Sequence, residues 1–90
     1  MFKNKILLIT GGTGSFGKKF ITYLYEKNLA KKIVIFSRDE HKQLEFKNSI
    51  PDNKINMFRF FLGDVRDKER LKWAINDDVD VLVHAAALKQ

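Results

Sequence analysis

Glycine recurs every third residue at Gly11, Gly14 and Gly17, and the apolar run Ile6-Leu7-Leu8-Ile9 leads straight into it. A helix-like pattern begins inside the glycine segment, at Ser15. Glycines so spaced permit a sharp turn out of a strand, admit a ligand to the backbone where a Cβ would stand, and let the next helix pack close to its strand. The free N–H groups and positive dipole end of that helix then face the turn, where a pyrophosphate suits them. This G-x-x-G-x-x-G spacing differs from the more familiar G-x-G-x-x-G, and alone it also fits a tight turn with no ligand. Its place at the first strand-to-helix turn of a βαβ pattern favours phosphate.

Strands and helices alternate beyond that turn. Lys5 to Thr10 reads as a strand covered on both faces. Ser15 to Asn28 reads as a helix, with Phe16, Phe20, Ile21 and Leu24 on one side and Lys18, Lys19 and Lys27 elsewhere. Ile33-Val34-Ile35-Phe36 is a second buried strand. Asp39 to Asn48 is a polar helix with Leu44 as its clearest apolar contact, and Pro51-Asp52-Asn53 marks a turn. Asn56 to Leu62 is a third strand, and Asp67 to Asn76 a third helix with Leu71, Ala74 and Ile75 inward. Val79 to Ala85 is a fourth strand. The expected architecture is α/β: the N-terminal part of a Rossmann doubly wound parallel sheet, order 3-2-1-4, truncated after its fourth strand. Residues 1–90 form one partial domain. Strand 4 is then an edge, with Val81, Leu82 and Val83 partly uncovered and prone to self-association.

Composition excludes several functions. No apolar run approaches the ~18 residues of a membrane span, and Ile6 to Ile9 is too short for a signal-peptide core, so the expectation is a cytoplasmic chain without membrane contact. The absence of cysteine rules out disulfides and thiolate metal sites, and His41 and His84 are too far apart in sequence to suggest a metal cluster. A net charge of +6 raises nucleic acid as a partner. The lysines are spread rather than tracted, and no nucleic-acid-binding motif accompanies them, so no nucleic-acid partner is expected.

Strand ends in such a sheet converge on one edge, where ligands bind. Strand 2 ends Phe36-Ser37-Arg38, about twenty residues beyond the glycines, where an acid selects NAD and an arginine accommodates the 2′-phosphate of NADP. Arg38 offers a planar fork, Ser37 a hydroxyl, and Lys42 a second positive charge one helical turn on. NADP is favoured over NAD, although Asp39 can still meet a ribose hydroxyl. Ser37-Arg38-Asp39-Glu40 also matches a capping box, with Ser37 as N-cap and Glu40 at N3. After strand 3, Asp64 either accepts a hydrogen bond from an adenine amino group, with Val65 over the ring, or shares with Asp67 the role of capping the next helix. Strand 4 ends His84-Ala85-Ala86-Ala87, whose small side chains leave room for a cofactor. Lys89 is in reach of a ribose or an anionic substrate, and His84 reads as a packed strand-end histidine rather than an acid or base.

Together these stretches resemble the extended short-chain dehydrogenase/reductases, and within them the inverting UDP-N-acetylglucosamine 4,6-dehydratases of bacterial pseudaminic acid and related surface-sugar pathways. The resemblance rests on Thr10-Gly11-x-x-Gly14-x-x-Gly17, Ser37-Arg38-Asp39-Glu40, Arg59 to Asp67 and His84 to Gln90, and it covers essentially the whole chain. It implies a bound NADP used as a recycled catalyst, a UDP-sugar substrate and a homo-oligomeric complete enzyme. Gly11, Thr13, Gly14, Ser15, Phe16 and Gly17 would line the pyrophosphate turn. Ser37, Arg38, Asp39, Glu40 and Lys42 would surround the adenosine phosphate, and Asp64 and Val65 would hold adenine. Ala85 and Ala86 would lie near the central ribose, and Lys89 would face cofactor and substrate.

The family's Tyr-x-x-x-Lys and Asp-Lys pairs are expected beyond Gln90, so no catalytic residue is assigned. Tyr23 and Lys27 have the right spacing but fall in the first helix, away from the strand ends. The chain is expected to be inactive alone. The alternatives are a non-catalytic nucleotide-binding or structural fragment, or part of another extended short-chain sugar-nucleotide epimerase or dehydratase.

Overall fold

A computed structural model of the chain describes residues 2–11, 14–75 and 78–85. Its order is β1 (Phe2–Thr10), α1 (Ser15–Glu26), β2 (Ala30–Ser37), α2 (Glu40–Ser49), a 3-10 turn (Ile55–Met57), β3 (Phe58–Leu62), α3 (Lys68–Ile75) and β4 (Val81–His84). The strands form one parallel sheet ordered β3-β2-β1-β4. Leu8 pairs with Val34 on one side and Leu82 on the other, so β1 lies at the centre. All four strands therefore end at the same edge. Among the described residues no helix is long and apolar enough to cross a membrane.

Period-two alternation along the central strands splits the core in two. Leu7, Ile9, Ile33 and Ile35 are fully buried in a cluster with Ile21 and Leu24 of α1, Phe46 of α2 and Phe58 of β3. Leu8, Val34 and Phe36 point to the opposite face, where Ala74 of α3 meets them. Both faces being covered explains why these strands are continuously apolar. At the β4 edge Leu82 stays 40% exposed, and Val81 and Val83 are half-buried.

Element boundaries differ from the sequence expectation for identifiable reasons. β1 starts at Phe2, with a shift in register between Phe2 and Ile6, and β2 starts at Ala30, because backbone pairing continues through charged residues such as Lys31. α1 stops at Glu26 rather than Asn28. Asn28 turns left-handed at φ 53°, and the Leu29 N–H donates to the Leu24 carbonyl at 2.8 Å, closing a Schellman turn. Residues 55–57 form a 3-10 turn, which shortens β3 to Phe58–Leu62.

α2 corrects two expectations. Leu44 is 55% exposed, whereas Gln43 and Phe46, one turn apart, are buried. The Phe46 ring packs edge-on against Phe58 with centroids 6.3 Å apart, and that contact sets the inward face and turns Leu44 to solvent. The N-cap is Asp39, not Ser37: Asp39 Oδ1 accepts from the Lys42 N–H at 3.0 Å. Ser37 remains in β2, its hydroxyl accepting from Gln43 Nε2 at 2.9 Å. Gln43 Nε2 also donates to the Phe61 carbonyl at 2.7 Å, so one buried amide ties α2 to the ends of β2 and β3. In α3 only Ala74 is fully buried. Leu71 packs half-buried beside it, and Ile75, expected inward, is 37% exposed.

Candidate functional site

A cleft of about 660 Å³ opens where the strands end. Thr10 and Gly11 line it from β1, Phe36 to Asp39 and Lys42 from β2 and the start of α2, Gly63 to Arg66 from the segment after β3, and His84 from β4. Parallel strands with their crossovers on the two faces leave such a crevice at their carboxyl ends, beside the switch in strand order at β1.

Two glycines at this edge exist for different reasons. A Cβ at Gly63 would come within 2.7 Å of both Arg70 Cγ and the Phe36 ring, so packing demands glycine there. A Cβ at Gly14 would meet only the Gly11 carbonyl oxygen, at an ordinary 3.6 Å. Packing of the described residues therefore does not require glycine at 14. Gly11 adopts φ 69°, a left-handed conformation that favours glycine, and its carbonyl accepts from the Gly14 N–H at 3.2 Å. Gly14 is the N-cap of α1. It offers no side chain to the first-turn N–H groups, and no acidic residue lies in that turn. Phe16 is 43% exposed on α1 and Gly17 is buried; neither lines the cleft.

A charged cluster follows Gly63 in the cleft lining. Asp64 Oδ1 accepts from the Arg66 backbone N–H at 2.9 Å, and Arg66 Nη2 donates to Oδ2 at 2.7 Å. Arg38 Nη1 also donates to Oδ2, at 3.4 Å. The Arg66 side-chain hydrogen bonds hold the Asp64 carboxyl well below the usual carboxylate range. The Arg66 backbone N–H and the charges of Arg66 and Arg38 add to this, while partial burial opposes it. The same pairing raises the Arg66 guanidinium above its ordinary value. Capping of α3 falls to Asp67, whose Oδ1 accepts from the Arg70 N–H at 3.1 Å, and Asp64 is left facing the cleft.

The cleft brings together Gly11, Ser37, Arg38, Asp39, Lys42, Asp64 and Val65 of the sequence-derived set, and Gly14 is not in its lining. Glu40 opens α2 exposed and outside the lining, and Ala85 is buried in the core below it. Thr13, Ala86 and Lys89 lie outside the described residues. His84 is not packed away as expected. It is exposed, lines the cleft, and its Nδ1 shares a 2.7 Å hydrogen bond with Thr10 Oγ1, the ring tautomer deciding which atom donates. Sequence reasoning also passed over Arg66. Its signal was the Asp-x-Arg order itself, which lets an arginine reach back to the carboxylate two residues earlier. Among the described residues no group of three or more side chains is arranged to hold a metal.

Four parallel strands ordered 3-2-1-4, with a glycine turn at the first crossover and a polar cleft at the strand ends, define the N-terminal part of a Rossmann-type fold. Solved structures agree. Pen from Bacillus thuringiensis superposes with a TM-score of 0.80 at 30% identity, over 91% of this chain and 24% of that one. The model of the polysaccharide biosynthesis protein family matches residues 7–90, and the chain belongs to that family. It is 53% identical over 89 residues to a UDP-N-acetylglucosamine 4,6-dehydratase (inverting) of Campylobacter jejuni, covering 99% of this chain and 25% of that protein. It is 45% identical over 93 residues to a UDP-glucose 4-epimerase of Rickettsia bellii, covering 26% of that protein. The chain thus spans about a quarter of the length of these relatives.

Proposed function

We propose that these residues are the NADP-binding part of an inverting UDP-N-acetylglucosamine 4,6-dehydratase. The observation that carries the reading is the cleft itself, lined by Gly11 at the turn that leads to the uncapped N-terminus of α1, and by Arg38 and Lys42 at the end of β2 and start of α2. A pyrophosphate fits the first and a 2′-phosphate the second. Asp64 and Val65 supply an acceptor and an apolar surface for adenine. Thr13, Ser15, Ala86 and Lys89 belong to the same proposal through the family resemblance, as do a UDP-sugar substrate, a homo-oligomeric complete enzyme and a cytoplasmic place in pseudaminic acid formation.

The chemistry a bound nicotinamide would supply is reversible hydride transfer, from sugar C4 and back to C6 once water has been eliminated across C5 and C6, with inversion at C5. The residues of this chain bind and orient. The α1 N–H groups hold the diphosphate, the β2 end selects the phosphorylated ribose, and no described side chain is assigned to move the sugar's protons. A second reading, the equivalent part of a sugar-nucleotide epimerase, is favoured by the Rickettsia bellii relative.

A chimera tests the proposal. Residues 1–90 replace the matching N-terminal quarter of the Campylobacter jejuni dehydratase, and the product formed from UDP-N-acetylglucosamine is followed by NMR. Formation of the 4-keto-6-deoxy sugar supports the reading. A folded chimera that neither binds NADP nor turns over contradicts it.

A further inference from the structure

The acceptor capacity of Asp64 is fully used. An ionised carboxylate offers about four lone-pair directions. Arg66 fills three through its backbone N–H on Oδ1 at 2.9 Å, Nε on Oδ1 at 3.1 Å and Nη2 on Oδ2 at 2.7 Å. Nε lies 3.2 Å from Oδ2 as well, sharing its hydrogen between the two oxygens. The fourth direction goes to Arg38 Nη1, at 3.4 Å on Oδ2. An adenine amino group reaching Asp64 is a fifth donor, and one of the four must yield.

Arg38 is the one placed to yield. Its contact is the longest of the set and its side chain is 74% exposed, whereas Arg66 is bound by three donors, one of them main-chain. Once displaced, Arg38 keeps a charge that needs an anion, and it sits at the end of β2 beside Ser37 and Lys42. We propose that Arg38 is handed from Asp64 to the 2′-phosphate of the nucleotide, so that adenine recognition and 2′-phosphate recognition are coupled. The inference rests on the NADP reading above and adds to it a positioning role for Asp64. With a 2′-phosphate present, Arg38 exchanges one anion for another and the adenine amino group takes the vacated lone pair. Without it, the amino group must displace Arg38 into water, and part of its binding is lost. Exposed ion pairs are modest, so the coupling amounts to about threefold in affinity.

Four small nucleotides measure it: adenosine 2′,5′-bisphosphate, 5′-AMP, and the purine riboside analogue of each that lacks the 6-amino group. Their dissociation constants are read by calorimetry on the 90-residue chain, with circular dichroism confirming that it is folded. The expected result is that removing the 6-amino group weakens the bisphosphate about threefold more than it weakens the monophosphate. In Arg38→Ala that difference vanishes. The bisphosphate then binds more weakly than to the unsubstituted chain, while 5′-AMP binds as well or better. The last outcome runs against simple charge attraction, which predicts weaker AMP binding when a cation is removed. Equal penalties for the two pairs in the unsubstituted chain overturn the exchange and leave the NADP reading standing. Failure of all four nucleotides to bind a folded chain overturns both.

Discussion

Two helix N-termini follow strand ends at the same edge of the sheet and are finished in opposite ways. α2 is closed by its own side chains: Asp39 accepts from the Lys42 N–H, and Glu40 adds a negative charge in the first turn. α1 has glycine at the N-cap and no acid in its first turn. A helix end without a side-chain cap leaves N–H groups seeking a partner, and with glycine at the N-cap the cost relative to a good cap is only about a few tenths of a kcal/mol. The difference teaches where each helix does its work. On the proposed reading an anion completes α1, whereas α2 is capped by its own side chain and has Arg38 and Lys42 beside its start.

The contrast can be broken most forcefully at Gly14. Gly14→Asp gives α1 the cap that α2 already has, and two effects of opposite kind are expected. Thermal stability holds or rises slightly, because glycine is only a few tenths of a kcal/mol worse than aspartate as a cap. NADP binding falls roughly a hundredfold, since the carboxylate occupies the N–H groups and repels the diphosphate; two lost charge-assisted hydrogen bonds are enough for that. Calorimetry beside a melting curve reads both. Equal losses of stability and binding would mean that Gly14 serves packing after all.

The reverse change is smaller. Asp39→Ala removes the α2 cap and is expected to cost about 1 kcal/mol in denaturant unfolding, with NADP affinity changed less than threefold. A large loss of affinity would place Asp39 on the ribose instead.

The smallest expected effect is a pH dependence at Asp64. Its folded carboxyl lies below the usual carboxylate range, so its contribution to stability is present above the unfolded value of about 3.9 and is lost as pH falls through the depressed folded value. In Asp64→Asn that contribution is absent at every pH. Unfolding curves of the two proteins should differ slightly near neutrality and converge in acid, and a gap that persists at the acid end would contradict the pairing with Arg66.

The strands were legible in the sequence because burial on both faces leaves an unbroken apolar run, as in Ile33 to Phe36, and the glycine turn was legible through Gly11, whose φ of 69° favours glycine. What escaped was decided by contacts between distant segments. Nothing local distinguishes Gln43, which is buried, from Leu44, which is exposed; the Phe46 ring against Phe58 makes that choice. Ser37-x-x-Glu40 has the spacing of a capping box, yet the helix begins two residues later than that motif needs, and the Ser37 hydroxyl serves Gln43 instead. His84 reads as a packed strand-end histidine, whereas at the carboxyl end of β4 it opens to the cleft.

The central claim is that the end of β2 recognises a phosphorylated ribose. It is tested most directly by calorimetric titration of the chain with NADP⁺ and NAD⁺, repeated on Arg38→Ala. The account predicts that NADP⁺ binds about 10- to 100-fold more tightly than NAD⁺, as one charge-assisted hydrogen-bonded contact would give, and that the preference largely disappears in the variant. Equal binding of the two nucleotides by the unsubstituted chain, or a preference that survives loss of Arg38, would contradict it.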